Sequence, residues 1–158
     1  MATYDISEIL QFAVHIEEGG EYFYNKMVEK ADDERLKKIF TWLASEEVVH
    51  KKTFSDMLNE IKTYDSQESY PEEYFSYLKA YTQNIIFRKE DLDKKIDKLR
   101  DVEDAIDFAI ARELEAVLYY KELKEMISKE QHSVIDKIID EERRHFMRLR
   151  ALKDEYNK

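Results

Sequence analysis

Two copies of a five-residue pattern, Glu-Glu-x-x-His, contain the residue types in this chain that are best suited to metal chemistry. The copies end at His50 and His145, and a lone glutamate precedes the second Glu of each copy by 30 and 29 residues, respectively. Carboxylates and imidazoles in this number are what a two-metal site inside a four-helix bundle requires. The sequence therefore predicts six metal ligands: Glu17, Glu47, His50, Glu113, Glu142 and His145.

Spacing and charge suggest how these residues share two ions. A Glu and a His three positions apart lie on one face of a helix, so a single helix can offer both to the same ion. Four carboxylates in a dry core would repel one another unless protons or cations neutralised them, and two divalent ions supply four positive charges. We expect Glu17 and Glu113 as terminal ligands, with Glu47 and Glu142 as bridges. The competing interpretation places these Glu side chains on solvated helix faces, as in most chains with 39% charged residues.

The elements that must position these residues are four long amphipathic segments. Apolar residues recur at steps of three and four over 6–27, 36–61, 102–127 and 135–156, and the predicted ligands fall on these apolar seams. This periodicity is typical of helices packed in a bundle. The sequence predicts an all-α fold in which each neighbouring pair of helices forms an antiparallel hairpin, within a single domain over residues 1–158.

Helix starts are predicted at Asp5, near Asp32, at Asp101 and around Ser128, because these residue types cap helix N-termini. The connection between Lys62 and Arg100 is too long to be structureless. It opens with polar residues over 65–69, and Pro71 suits a first helical turn. An amphipathic pattern then predicts one short crossover helix, through Tyr74, Tyr77, Leu78, Tyr81 and Ile85.

Composition narrows the function classes. Only two Gly and one Pro occur, which favours helix throughout, and the absence of Cys excludes disulfides, iron–sulfur clusters and thiol nucleophiles. The formal charge of −10 disfavours nucleic acid and anionic membranes as partners. No targeting segment or membrane span is evident, so we expect a soluble, cytoplasmic protein.

Several further residues have two possible interpretations. Tyr24 and Tyr120 lie two helical turns beyond the lone glutamates, where their hydroxyls could hydrogen-bond a ligand carboxylate or simply pack in the core. Glu46 and Glu141 could accept the free ring N–H of a histidine from the opposite hairpin, or face solvent. Gly20, like Ala116 in the other half, could leave space for O2 beside the metals or allow close helix packing. The remaining histidines, which we expect on the surface, are His15 and His132.

The ordered set of motifs resembles a known family. The stretch from Ile16 to Tyr24, Glu-x-x-His at 47–50, Glu113 with Tyr120, and Glu-x-x-His at 142–145 together resemble the ferritin-like di-iron proteins of the rubrerythrin group. The resemblance covers nearly the whole chain and implies a ferritin-like four-helix bundle with two iron ions. Two features depart from the family pattern. Ala116 stands where rubrerythrins usually carry an extra ligand Glu, and the Cys-rich rubredoxin domain is missing.

The resemblance implies reduction of hydrogen peroxide or O2, with electrons from an external donor protein. The alternatives are a ferroxidase or iron-handling protein, a di-metal oxygenase, and a non-catalytic metal-binding bundle. Carboxylate and imidazole ligands discriminate weakly between metals, so Mn/Fe, Mn/Mn or Zn would satisfy the same residues. We expect a homodimer, from the resemblance and from a surplus of aromatic residues in the crossover that could cover either the bundle or a partner. These residues are Tyr70, Tyr74, Phe75, Tyr77, Tyr81 and Phe87.

Overall fold

The computed structural model describes residues 6–61, 72–86 and 88–158, and within these ranges the chain forms helices and no strands. The helices are α1 (Ile6–Lys30), α2 (Glu34–Ile61), α3 (Glu72–Ile85), α4 (Lys89–Asp97), α5 (Val102–Met126) and α6 (His132–Tyr156), with a short 3-10 helix at Lys129–Gln131. None of the helices in these ranges combines the length and apolar character that a membrane span needs.

The bundle consists of two antiparallel hairpins. Helix α1 packs mainly on α2, and α5 packs mainly on α6, while α1 also contacts α5 between the hairpins. The predicted seams are buried along most of their length, and exceptions lie at helix ends, where Ile6, Ile61 and Val102 are half-buried and Tyr156 is exposed. The four-helix architecture predicted from the seams is thus confirmed.

Two apolar clusters fill the bundle, one toward each end. The first joins the early part of α1 to the late part of α2, with Leu10 and Phe54 among its members. The second joins the late part of α1 to the early part of α2, and includes Phe23 and Phe40. Burial of apolar side chains on both sides stabilises the two ends of the bundle and keeps water away from its middle. The predicted ligands lie between the two clusters along each helix.

The crossover differs from its prediction. It contains two helices, α3 and α4, where the sequence predicted one; α4 was missed because its nine residues are mostly charged and bury only Leu92 and Ile96. Tyr74 and Tyr81 of α3 hydrogen-bond to Glu122 and to the Glu115 carbonyl on α5, so these two aromatics cover the bundle itself. Pro71, the polar residues 65–69, Tyr70 and Phe87 lie outside the described residues.

Helix caps agree with the sequence in part. Asp101 caps α5 by accepting a hydrogen bond from the backbone N–H of Asp104, as predicted. At α2 the carboxylate of Asp33, one residue after the predicted position, accepts from the Arg35 N–H at 2.7 Å. The start predicted around Ser128 is wrong for α6, because the 3-10 helix intervenes and delays the α-helix to His132. The predicted cap Asp5 lies outside the described residues.

Candidate metal centre

The structure brings all six predicted ligands together in the middle of the bundle. Each is at most 5% exposed, although all six are polar or ionisable side chains. They are Glu17 on α1, Glu47 and His50 on α2, Glu113 on α5, and Glu142 and His145 on α6. The interpretation that places these carboxylates on solvated faces is therefore wrong.

The six side chains form two overlapping groups of four. Glu17, Glu47, His50 and Glu142 offer donor atoms that all lie within 4.8 Å of one another, and so do Glu47, Glu113, Glu142 and His145. Glu47 and Glu142 belong to both groups. This overlap is the arrangement that two neighbouring ions with two bridging carboxylates would need, because each ion then also has one terminal carboxylate and one imidazole.

Both histidines turn the same ring nitrogen toward the carboxylates. Nδ1 of His50 lies 2.9 Å from Glu142 Oε1 and 3.7 Å from Glu17 Oε2. Nδ1 of His145 lies 3.1 Å from Glu142 Oε2 and 3.4 Å from Glu113 Oε2. The two rings stack with their centroids 5.7 Å apart. Each Nε2 therefore points away from the carboxylates, toward the outside of the bundle.

Two tyrosines restrain the lone glutamates across the bundle. Tyr24 on α1 donates a hydrogen bond to Glu113 Oε1 on α5, and Tyr120 on α5 donates to Glu17 Oε1 on α1. The contacts are crossed, so each hairpin holds a carboxylate of the other. Of the two interpretations left open by the sequence, the hydrogen bond is the correct one, and core packing accompanies it because both rings are buried.

The four carboxyl groups differ in their affinity for protons. Burial, together with the neighbouring charges of Glu17 and Glu142, raises the pKa of Glu47 well above its ordinary value. Burial and the charges of Glu113 and Glu17 do the same to the pKa of Glu142. Burial also opposes ionisation of Glu17 and Glu113, but interactions with the other buried carboxyls and with the histidines hold the pKa of each below its ordinary value. When only protons occupy the site, Glu47 and Glu142 therefore hold them in preference to Glu17 and Glu113.

The pKa values of the neighbouring histidines and tyrosines are shifted as well. Burial alone would lower the pKa of His50, but Glu142 and Glu17 raise it to about 11. Glu113 and Glu142 likewise overcome burial and raise the pKa of His145 to about 10. Burial and the adjacent carboxylates raise the pKa of Tyr24 and Tyr120 well above the ordinary value, so both keep the protons that they donate. The protonated imidazoles of His50 and His145 thus offset negative charge on the neighbouring carboxylates.

Three buried polar atoms in the described residues have no hydrogen-bond partner, and all three belong to the predicted ligands: Glu17 Oε2, Glu47 Oε1 and His145 Nε2. An unsatisfied buried polar group costs about 1–3 kcal/mol, so such groups are rare without a reason. Carboxylate oxygens in this environment suit a hard or borderline divalent cation. The donor set therefore fits a metal pair, which would occupy the oxygens that protein groups leave unused.

Gly20 leaves space for the side chain of one predicted ligand. A Cβ built at this position would contact the Glu47 carboxylate, with Cδ of Glu47 only 2.9 Å away. The missing side chain thus makes room for a predicted bridging ligand. Of the two interpretations offered by the sequence, close packing is supported, since the Glu47 side chain fills the space. Ala116, the matching position in α5, is buried among apolar residues.

The two histidines have different neighbours on their outer sides. Glu141 Oε2 lies 2.8 Å from His50 Nε2, whereas Glu46 Oε2 lies 3.8 Å from His145 Nε2, beyond hydrogen-bond range. The edge of Trp42 instead packs on the His145 ring, with centroids 5.2 Å apart. Trp42 was not predicted, because it lies off the apolar seams and is 40% exposed.

The other two histidines take no part in the centre. His15 is 44% exposed and pairs with Glu18 at 3.4 Å, as expected for a surface residue. His132 is half-buried at the start of α6, with Nε2 3.3 Å from the Ile127 carbonyl.

Comparisons with known proteins agree with this architecture. The sequence model of the rubrerythrin family matches residues 8–153. A Thermotoga maritima protein, assigned as ferritin-like and diiron-carboxylate, is 27% identical, with a TM-score of 0.70 over 99% of both chains. A hypothetical protein from Pyrococcus furiosus is 26% identical, with a TM-score of 0.69 over 98% of this chain and 91% of that one. No curated protein matches. The fold is therefore ferritin-like.

Proposed function

Because this chain belongs to the rubrerythrin family, we propose that it is a di-iron oxidoreductase that reduces hydrogen peroxide or O2. The observation that supports this most directly is the buried pair of four-residue groups that share Glu47 and Glu142. A bundle that only needed stability would fill this space with apolar side chains, because buried charge lowers stability unless it is compensated. The whole chain, residues 1–158, acts as one di-iron domain in this proposal.

The six buried side chains would hold the ions, with Glu17 and Glu113 terminal, Glu47 and Glu142 shared, and one histidine Nδ1 on each side. When bound, the iron pair supplies two electrons and Lewis acidity at the centre. Reduction of one hydrogen peroxide to two water molecules consumes two electrons and two protons. In this proposal an external one-electron donor protein supplies the electrons, since these 158 residues include no Cys that could hold an iron–sulfur cluster.

The residues around the centre have roles that follow from their contacts. Tyr120 fixes Glu17 Oε1 and leaves Oε2 of the same carboxylate without a hydrogen-bond partner, available to bind an ion. Tyr24 fixes Glu113 in the same way from the other hairpin. Because both hydroxyls keep their protons, they restrain the terminal carboxylates without adding negative charge. The apolar clusters above and below exclude water, which protects the reduced centre from unproductive reactions.

The test is the reaction of the loaded protein with peroxide. Metal-free protein is loaded anaerobically with two equivalents of Fe(II), mixed with hydrogen peroxide, and followed by visible absorption and peroxide consumption. We expect oxidation at least a hundredfold faster than that of free Fe(II), with one peroxide consumed per two Fe(II). A matched control is the double variant E47Q/E142Q, which keeps side-chain volume but removes both shared carboxylates and should react like free Fe(II).

Several outcomes would contradict the proposal. If loaded wild-type protein reacts with peroxide and with O2 no faster than free Fe(II), it is not this oxidoreductase. Rapid oxidation followed by uptake of many further Fe(II) ions into a large assembly, seen by sedimentation, would instead identify an iron-storage protein. Tight binding of Zn(II) without any redox change in iron-loaded protein would identify a non-catalytic metal bundle.

A further inference from the structure

The stacked imidazoles of His50 and His145 form a partition between two groups of carboxylates. Their Nδ1 atoms face the buried carboxylates, and their Nε2 atoms face a second, outer pair, Glu46 and Glu141. Glu46 is 30% exposed and Glu141 is 18% exposed, so the outer pair is in contact with solvent while the histidines are not. The same two rings therefore border both a dry and a wet carboxylate group.

The outer group has the donor geometry of a cation site. Glu46, His50 and Glu141 offer donor atoms that all lie within 4.8 Å of one another. A further, independent donor points toward it. Nε2 of His145 lies 3.8 Å from Glu46 Oε2 and has no hydrogen-bond partner, although the side chain is only 1% exposed. A buried nitrogen left without a partner beside an acidic group is the feature that a missing cation would explain.

A surface groove leads to this group. Its volume is about 320 Å³, it lies between α2 and the start of α6, and both His50 and Glu141 line it. Lys137, at the same groove, places its Nζ 3.9 Å from Glu141 Oε1 and is 76% exposed. A divalent cation binds a carboxylate more strongly than an exposed ammonium does, so it can displace Lys137 from Glu141. Ions therefore have a solvent path to Glu141 and to the outer side of the His50 ring.

We propose that Glu46, Glu141 and the outward Nε2 atoms of His50 and His145 form an outer divalent-cation site that receives each ion before it reaches the buried pair. The inference rests on the proposed function only in assuming that the six inner residues bind metal. Each ring presents Nε2 to the outer group and Nδ1 to the inner group, so the same two side chains border both sites.

Charge makes the outer site transient. Two divalent ions at the inner positions repel a third divalent ion on the outer face of the same two rings, so filling the inner positions weakens the outer site. An ion would bind first to the low-affinity outer group and then to the high-affinity inner group. It would therefore have several protein ligands at each stage of its entry into the dry core. The consequence is kinetic: the outer carboxylates control the rate of loading more than the final occupancy.

The protein contains its own reporter for the first step. Trp42 is the single tryptophan of the chain, and its ring packs against the His145 ring at 5.2 Å between centroids. Co(II) is paramagnetic and quenches nearby tryptophan fluorescence, and its visible absorption intensifies when the ion enters a protein site of low coordination number. In one Co(II) titration, fluorescence therefore reports the first ion to arrive beside the His145 ring, and absorption reports the ions that reach the inner group.

The experiment mixes metal-free protein with excess Co(II) in a stopped-flow instrument. In wild-type protein we expect a fast fluorescence phase, then a slower absorption phase whose rate saturates as Co(II) concentration rises. In E46Q/E141Q the fast phase should disappear and loading should slow at least tenfold, with two ions still bound at the end. The charge-matched control is D107N/D136N, which removes two half-exposed carboxylates from ion pairs with lysines elsewhere; it should load like wild type.

Either of two results with E46Q/E141Q would overturn the outer site. One is an unchanged loading rate in E46Q/E141Q. The other is a lower equilibrium affinity with an unchanged association rate, which would mean that Glu141 only orients His50. A third variant, K137Q, should enlarge the fast phase by at least threefold, because it removes the ammonium that competes for Glu141; no change or a smaller phase would also count against the site.

The same stopped-flow experiment distinguishes failure of the outer site from failure of the proposed function. The E47Q/E142Q variant should lose the absorption phase and retain the fast quenching of Trp42, because its outer group is intact. If this variant still binds two ions as tightly as wild type, the inner assignment and the proposed function fail. If it loses the fast phase together with the absorption phase, quenching came from the inner ions and the outer site is refuted.

Discussion

The α1–α2 hairpin and the α5–α6 hairpin repeat one another closely inside the bundle and diverge at its surface. An offset of 96 residues relates Glu17 to Glu113, and each accepts a tyrosine hydrogen bond from the other hairpin. An offset of 95 relates Trp42 to Lys137. The first packs on an imidazole, while the second lies beside a carboxylate. The inner residues match in pairs, as two equivalent ions would require, whereas the outer residues of the two hairpins differ.

Because the two hairpins match inside the bundle, we expect Glu47 and Glu142 to contribute equally to metal affinity. Replacing either Glu47 or Glu142 with Gln removes a donor from both four-residue groups at once, so each single variant should lose more than the 10–100-fold in metal affinity that is typical of residues outside the ligand set. Equilibrium binding of Co(II), with metal content measured after gel filtration, checks this. Tight binding of two ions by one single variant and not by the other would break the symmetry.

The protons of the metal-free centre predict a pH dependence. Above pH 4.5 the unfolded chain releases protons that Glu47 and Glu142 keep when folded, because burial raises the pKa of both carboxyls. The raised pKa values of His50 and His145, about 11 and about 10, act in the same direction above the ordinary value of 6.5. The native state therefore holds more protons, and stability present at low pH is lost as pH rises.

Each retained proton changes the free energy of unfolding by about 1.4 kcal/mol per pH unit. We expect metal-free protein to lose stability between pH 6 and pH 9 in urea unfolding with a chelator present. Metal-loaded protein should show the reverse trend, because two divalent ions displace these protons and bind more tightly at high pH. A metal-free protein that becomes more stable over this range would contradict these pKa shifts.

Gly20 and Ala116 occupy matching positions but face different neighbours, so exchanging their residue types should not be equivalent. G20A introduces a Cβ against the Glu47 carboxylate, and the resulting overpacking should cost about 1–3 kcal/mol and weaken metal binding, despite the helix propensity of Ala. A116G should cost about 1 kcal/mol through propensity alone and leave metal affinity unchanged. Thermal unfolding with and without metal separates the two; a stabilised G20A with normal affinity would refute the packing argument.

The crossed tyrosines provide a matched pair of smaller effects. Y24F leaves Glu113 without its hydroxyl donor, and Y120F does the same to Glu17, while both keep the buried ring. Each should lower metal affinity by about tenfold, at the low end of what is typical for groups that support ligands. Competition with a fluorescent chelator measures this affinity. A loss in only one variant would show that the two ions depend on different supports.

The six inner residues were predictable from the sequence as a set, whereas the crossing of the tyrosines and the unequal contacts of Glu46 and Glu141 were not. Apolar seams fix which face of each helix is buried, and any Glu or His on a seam must then lie in the core, so the six residues could be placed together before any coordinates. The crossing of Tyr24 and Tyr120 depends on helix rotation and side-chain rotamers, which periodicity does not report. Glu46 and Glu141 hold the same position in the repeated motif Glu-Glu-x-x-His. Only three-dimensional packing separates their distances to the two histidines.

The smallest predicted effect tests whether the outer residues differ in stability as they do in contacts. Trp42 buries more than half of its surface against neighbours that include the His145 ring, whereas Lys137 forms only an exposed pair at 3.9 Å. Replacing Trp42 with Leu should therefore cost about 1–2 kcal/mol of unfolding free energy, since aromatic contacts add to area burial. Replacing Lys137 with Leu should change it by less than about 1 kcal/mol, because exposed ion pairs contribute little. Urea unfolding of metal-free protein at pH 6 measures both, and equal losses would mean that the surface asymmetry has no energetic consequence for the fold.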